Sequence, residues 1–107
     1  MSYDISLTAD LGGSEPLRLG DGWNYTSNMA PAWRAAGADL AGFDGKEAGE
    51  CITILRGAIL SMEGDPDYYR TFDSPNGWGT YDTLLPALRD LLTMFESAPK
   101  ATVGVWH

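Results

Sequence analysis

Two stretches carry the residue types from which a recognition site is built: Trp23-Asn24-Tyr25-Thr26-Ser27-Asn28 and Asn76-Gly77-Trp78-Gly79. Each sets a large ring beside side-chain amides. An amide donates and accepts hydrogen bonds, and a ring offers a stacking face. Together they suit a pocket for a small polar ligand. Each stretch also has an ordinary structural use. Residues 23–28 can form a helix entrance, with Trp23 or Tyr25 as staple and Thr26, Ser27 or Asn28 as cap. Residues 76–79 can form a Pro-Asn-Gly turn with Trp78 plugging the core. Singly, each stretch is better explained by structure. Together they favour a site.

Catalytic chemistry finds less support. The one histidine, His107, is the last residue and is expected to fray. The one cysteine, Cys51, falls on an apolar helical stripe and reads as a buried structural thiol. It leaves no intramolecular disulfide and no Cys₂ or Cys₄ zinc site. Asp65-x-Asp67 with Asp73 is the best cluster for a hard cation. It lacks the loop and terminal bidentate Glu of an EF-hand. Asp44, Glu47 and Asp65 are explained by helix capping. Gly12-Gly13 and Gly20-x-Gly22 are followed by no Lys-Ser/Thr and make no phosphate loop. No catalytic residue, metal ligand or cofactor is therefore expected.

The 107 residues, 44% apolar, suit one domain with one core. The net charge is −8, and the seven Lys and Arg residues are scattered. No basic patch is present, so direct nucleic-acid binding is disfavoured. The charge reads first as a solubility device and second as mimicry of nucleic acid toward a basic partner. No apolar run approaches the ~20 residues of a membrane span, and the N-terminus does not resemble a signal peptide. A cytoplasmic location is expected, so the sequon at Asn24-Tyr25-Thr26 is read as chance.

The elements that must position these residues follow from periodicity. Tyr3, Ile5 and Leu7 alternate with Asp4, Ser6 and Thr8, a half-buried strand over 3–9. Gly12-Gly13 and Gly20-Asp21-Gly22 read as turns flanking a short edge strand at 16–19. A short helix is expected from Ser27 or Asn28 to about Ala36, with Pro31 in its first turn, Gly37 as its stop, and Met29 and Trp33 on one face. Asp44-Gly45-Lys46-Glu47 resembles a capping box opening a helix over 46–63, with Cys51, Leu55, Ala58, Ile59 and Met62 on its apolar stripe. Asp65-Pro66 restarts a short helical turn. A last helix over 80–97 buries Leu84, Leu88, Leu91 and Phe95. Pro86 would be interior to a helix starting at Thr80 and in the first turn of one capped by Thr83, and an irregular first turn from about Thr80 is preferred. Ala101, Val103 and Val105 alternate with Thr102, Gly104 and Trp106 in a closing strand. The expected fold is α+β: a small antiparallel sheet with first and last strands paired, carrying the two main helices and shorter ones on one face.

Tyr3-Asp4-Ile5-Ser6-Leu7, Asn24-Tyr25-Thr26-Ser27-Asn28 with Trp33 five residues on, Asn76-Gly77-Trp78-Gly79-x-Tyr81, and Pro99-Lys100-Ala101-Thr102-x-x-Val105 resemble a family of small proteins of actinobacterial phages. That family has no established activity. The resemblance spans nearly the whole chain and departs at Met29-Ala30 and Trp106-His107. It implies an accessory protein acting in the host-cell cytoplasm, with a host-directed or counter-defence role.

The expectation is a non-catalytic binding protein that recognises a small polar ligand or a host protein. Its ligand-binding set is Asn24, Tyr25, Thr26, Asn28, Asn76 and Trp78, with Trp33 added from the motif. Trp78 is expected to be partly buried, one edge on the last helix and the other toward Asn24–Asn28. An acidic, nucleic-acid-mimicking decoy of a host protein is the alternative. A small hydrolase using Asp21 or Asp73 ranks third.

Overall fold

A computed structural model describes all 107 residues. Strand β1 (Ser2–Ala9) lies at the centre of a three-stranded antiparallel sheet, between β2 (Leu17–Thr26) and β3 (Thr102–Trp106). The first and last strands pair from Asp4↔Trp106 to Thr8↔Thr102, as the short alternating strands require. Tyr3, Ile5, Leu7, Val103 and Val105 point inward and join one cluster of 26 buried residues. Burial of such side chains is the main stabilising term, at roughly 25 cal/mol per Å² of apolar surface.

The strand at 16–19 does not end at Gly20. It continues to Thr26, and Gly20-Asp21-Gly22 is a bulge rather than a turn. Ile5 faces Trp23 and Leu7 faces Leu19, so Ser6 alone is set against three residues of β2. Gly22 has φ +83°, and a Cβ there would sit 2.8 Å from the Arg18 guanidinium. The hairpin turn lies at Asp10–Pro16, where Asp10 Oδ1 accepts from the Gly12 N–H at 2.9 Å.

Thr26 ends β2 and caps a 3₁₀ turn, Ser27–Met29, through its hydroxyl. Helix α1 (Ala30–Ala35) follows, with Met29 and Trp33 buried. A 3₁₀ turn at Leu40–Phe43, not expected from the sequence, buries Leu40 and Phe43.

Helix α2 spans Ala48–Gly64, and its start corrects the expected capping box. Asp44 does not cap it; Asp44 Oδ1 accepts from the Val105 N–H at 2.9 Å. The first helical N–H groups find backbone partners in the C-terminal segment: Ala48 donates to Ala101 O at 2.8 Å and Gly49 to Pro99 O at 2.7 Å. Those bonds answer the donor deficit of a helix start. Residues 44–47 also close the outer edge of β3, Gly45 donating to Val103 O and Val103 to Lys46 O, both at 2.8 Å. The outer edge of β2 is not closed in this way.

Helix α3 (Pro66–Arg70) starts after Asp65, whose side chain makes no capping bond, against expectation. Helix α4 (Tyr81–Ser97) starts with a reciprocal box between Thr80 and Thr83 and carries Pro86 inside it. Helices α2 and α4 pack together through Leu55, Ala58, Ile59, Leu84, Leu88 and Leu91 in the same core. Arg89–Glu63 at 2.7 Å and Arg56–Glu96 bridge them at the surface, contributing roughly 0.2–1 kcal/mol each at such exposed positions. No helix is long and apolar enough to cross a membrane.

Candidate functional site

The core and both long helices lie on one side of the sheet. The opposite face presents the outward residues of each strand. Across it run Trp106, Asp4 and Asn24 in one row, with Ser2 and Thr26 in the next. The alternation of a strand puts these side chains on the uncovered side as strictly as it puts Ile5 and Leu7 on the other.

The two polar-aromatic stretches meet here. Asn28 Nδ2 donates to Trp78 O at 3.0 Å. Thr26 and Met29 seat Gly79, whose missing Cβ would lie 2.8 Å from Thr26 Cγ2 and 2.7 Å from Met29 Cγ. Gly79 has φ +106°, so glycine is demanded by both space and backbone. A cleft of about 330 Å³ results, lined by Met1, Ser2, Asn24, Thr26, Asn28 and Trp78. Asn24 Nδ2 donates to Asp4 Oδ1 at 2.8 Å and, more weakly, to Tyr3 O at 3.4 Å. Its Oδ1 makes no bond within the protein, so it is available to a ligand.

Three expected site residues are placed elsewhere. Trp33 is fully buried, edge-on to Tyr3 at 4.9 Å between ring centroids, and is a core residue. Its position on the inner face of α1 turns it toward the sheet. The indole N–H has no hydrogen-bond partner. Tyr25 follows the opposite strand phase from Asn24 and Thr26. Its hydroxyl pairs with Thr83 Oγ1 at 2.7 Å, fastening β2 to the start of α4. Asn76 holds its own turn: Oδ1 accepts from the Trp78 N–H at 2.9 Å and the Ser74 hydroxyl at 2.5 Å. Trp78 itself is 73% exposed and does not pack on the last helix as expected. The Ser74–Gly79 turn closes by Ser74 N donating to Gly79 O at 3.0 Å and carries the indole outward.

A second cleft on the same face, about 380 Å³, was not expected from the sequence. Asp4, Ser6, Arg18, Asp21, Asn24 and Trp106 line it. The Trp106 ring folds back over Gly104, where a Cβ would sit 2.8 Å from ring atom Cη2. The indole covers Ser6, which is outward-facing yet only 5% exposed, and itself stays 60% exposed. Arg18 crosses the bulge, with Nη2 donating to Asp21 O at 3.2 Å, and forms no ion pair. The sequence held one signal for this cleft: Trp106 occupies the outward phase of an alternating strand, where a large ring is costly to leave in water.

Of the groups weighed for catalysis, His107, Cys51 and Asp73 are engaged within the protein, whereas Asp21 lines the second cleft. His107 is not frayed but stacks on Tyr3 at 4.8 Å and 14°. Cys51 is buried, its thiol directed at Glu47 O at 3.6 Å, and burial raises its pKa. Lys46 opposes that rise and Glu50 adds to it. Asp73 Oδ1 accepts from the Tyr81 N–H at 2.7 Å, supporting the start of α4. No three His, Cys, Asp or Glu side chains converge as metal ligands would. The face presents two exposed indoles, amide and carboxylate acceptors and one guanidinium. No family pattern, no curated protein and no solved structure matches this chain.

Proposed function

We propose that this protein is a non-catalytic binding protein whose polar ligand sits on the uncovered face of the sheet, across Asn24, Thr26, Asn28 and Trp78. One observation carries the reading. Asn28 is bonded to Trp78 O, so two stretches distant in sequence form one cleft beside an indole that is 73% exposed. A large ring held in water by a braced turn forgoes roughly 1.5–3 kcal/mol of burial, a cost that a ligand would offset. Tyr25, Trp33 and Asn76 act in this reading as supports. Following the resemblance to phage proteins, the setting is the cytoplasm of an infected bacterium, and the role is host-directed.

The test is native mass spectrometry of the protein purified from its host cell, followed by titration of what co-purifies against wild type, Asn28→Ala and Trp78→Ala. Both substitutions should abolish binding while the fold is kept. If both variants bind as wild type does, the ligand lies elsewhere. The alternative, an acidic decoy, makes a different demand: its complex with a basic partner should weaken steeply as salt rises, because screening shortens to ~8 Å at physiological ionic strength.

A further inference from the structure

We infer that the ligand of this face is a neutral oligosaccharide, held between the indoles of Trp106 and Trp78. The inference rests on the proposed binding role and specifies its ligand class.

Elimination by charge comes first. The cleft at Trp106 holds one cation, Arg18, and two carboxylates, Asp4 and Asp21, in a chain of net charge −8. An anion, nucleic acid above all, would meet a net negative wall and a repelling field. A cation would be drawn by that field but would have to sit beside the Arg18 guanidinium, which forms no ion pair. Asp21 is the one cleft carboxylate free of a hydrogen bond, Asp4 accepting from the Asn24 amide at 2.8 Å. A wholly apolar ligand would strand the Asp4 and Asp21 carboxylates and the Arg18 guanidinium, each costing more than its contact returns. What fits is a neutral molecule with many groups that both donate and accept, and with a flat C–H surface for the indole. A pyranose ring has that pattern: hydroxyls around its rim and axial C–H groups on its faces.

Geometry supports more than one ring. Asn24 lines both clefts, its Nδ2 committed to Asp4 and Tyr3 and its Oδ1 open. From Trp106 on β3 to Asn24 on β2 is two strand spacings, roughly 10 Å, and Thr26 lies a further ~7 Å along β2. The two clefts, which share Asn24, therefore make a strip longer than a single sugar, with Trp106 lining one cleft and Trp78 the other. The plate at Trp106 is built for its place. Gly104 alone lets the indole lie on the sheet, since a Cβ there would be 2.8 Å from it. Its outer face stays 60% exposed.

The experiment is a titration of the full chain with cellohexaose, maltohexaose, xylohexaose and chitohexaose. It is followed by intrinsic fluorescence and by the indole N–H signals in ¹⁵N-correlated NMR, with adenosine and a neutral peptide as comparison arms. At least one hexasaccharide should shift the Trp106 and Trp78 signals and leave that of buried Trp33 in place. Affinity should fall at least tenfold on Trp106→Ala, on Trp78→Ala, and on shortening the ligand to one sugar. Should Trp106→Ala unfold, the wild-type indole shifts and the chain-length dependence still decide the matter. If no hexasaccharide moves either signal, the inference is overturned. Should adenosine or the peptide move them instead, the saccharide assignment fails while the binding face stands. If none of the probes moves them, the saccharide assignment falls, and the binding face then rests on its co-purification test alone.

Discussion

Replacing Gly79 by Ala tests the joint on which the site depends. Gly79 has φ +106°, a region in which an L side chain costs ~1–2 kcal/mol. Its new Cβ would fall 2.7 Å from Met29 Cγ and 2.8 Å from Thr26 Cγ2, well inside the ~3.5–4.0 Å of a normal carbon contact. Met29 is fully buried and has nowhere to swing. Thr26 can turn only by giving up the bond its hydroxyl oxygen accepts from the Asn28 N–H. Overpacking of this kind costs ~1–3 kcal/mol, so the sum is about 2–5 kcal/mol, a large share of the ~5–15 kcal/mol that holds a domain folded. Gly77→Ala supplies the control. Gly77 also has positive φ, +77°, but no atom lies within 4 Å of its Cβ position. It should lose only the backbone share, about 1–2 kcal/mol. Any gain from a stiffer unfolded chain is common to both variants and cancels. Urea unfolding of the two proteins at matched slope gives the difference directly. Gly79→Ala should unfold at distinctly lower urea, by about 1–3 kcal/mol more than Gly77→Ala. Equal midpoints would mean that the 76–79 turn does not rest on Thr26 and Met29, and the shared cleft would dissolve with it.

Trp78→Ala should cost less than ~1 kcal/mol, as befits a 73% exposed ring; a loss near the ~3–5 kcal/mol of a buried aromatic would put the indole in the core. Asp44→Ala strands the Val105 N–H and should destabilise by ~1–3 kcal/mol, whereas Asp44→Asn keeps an acceptor oxygen and should recover most of it. No recovery in thermal melts of the pair would argue against that bond. The Cys51 thiol is raised by burial first, with Glu50 adding and Lys46 opposing, so the folded protein holds its proton to higher pH than the unfolded chain does. The stability this gives is complete below the unfolded thiol's pKa and is lost as pH climbs through the folded one. Urea midpoints between about pH 7 and about pH 10.5 should therefore fall more steeply for wild type than for Cys51→Ala, and parallel curves would refute the assignment.

Local periodicity carried most of the fold. The alternation at 3–9 and 101–106, the stripe of Cys51, Leu55, Ala58, Ile59 and Met62, and the Thr80 start of α4 each report which side of an element avoids water, and that is decided residue by residue along the chain. A strand too short to bury its own face must pair, so the contact between β1 and β3 was legible as well. Local chemistry misled where two structures share one composition. Gly20-Asp21-Gly22 suits a turn and a bulge equally, and only the register against Ser6 makes it a bulge. Asp44 three residues before Glu47 matches a capping box, but β3, 61 residues away, needed an acceptor for the Val105 N–H and took the carboxylate. The four tryptophans are chemically identical. Trp33 was drawn into the core, Trp23 sends its N–H to Ala87 O at 2.7 Å, and Trp78 and Trp106 were left on the outer face. No local pattern around Trp33 or Trp78 distinguishes those fates; packing against distant elements does. The meeting of Asn28 with Trp78, 50 residues apart, is a contact of that same kind. Residue types nominate a site, but only the tertiary structure brings its halves to one face and turns Tyr25 and Trp33 away from it.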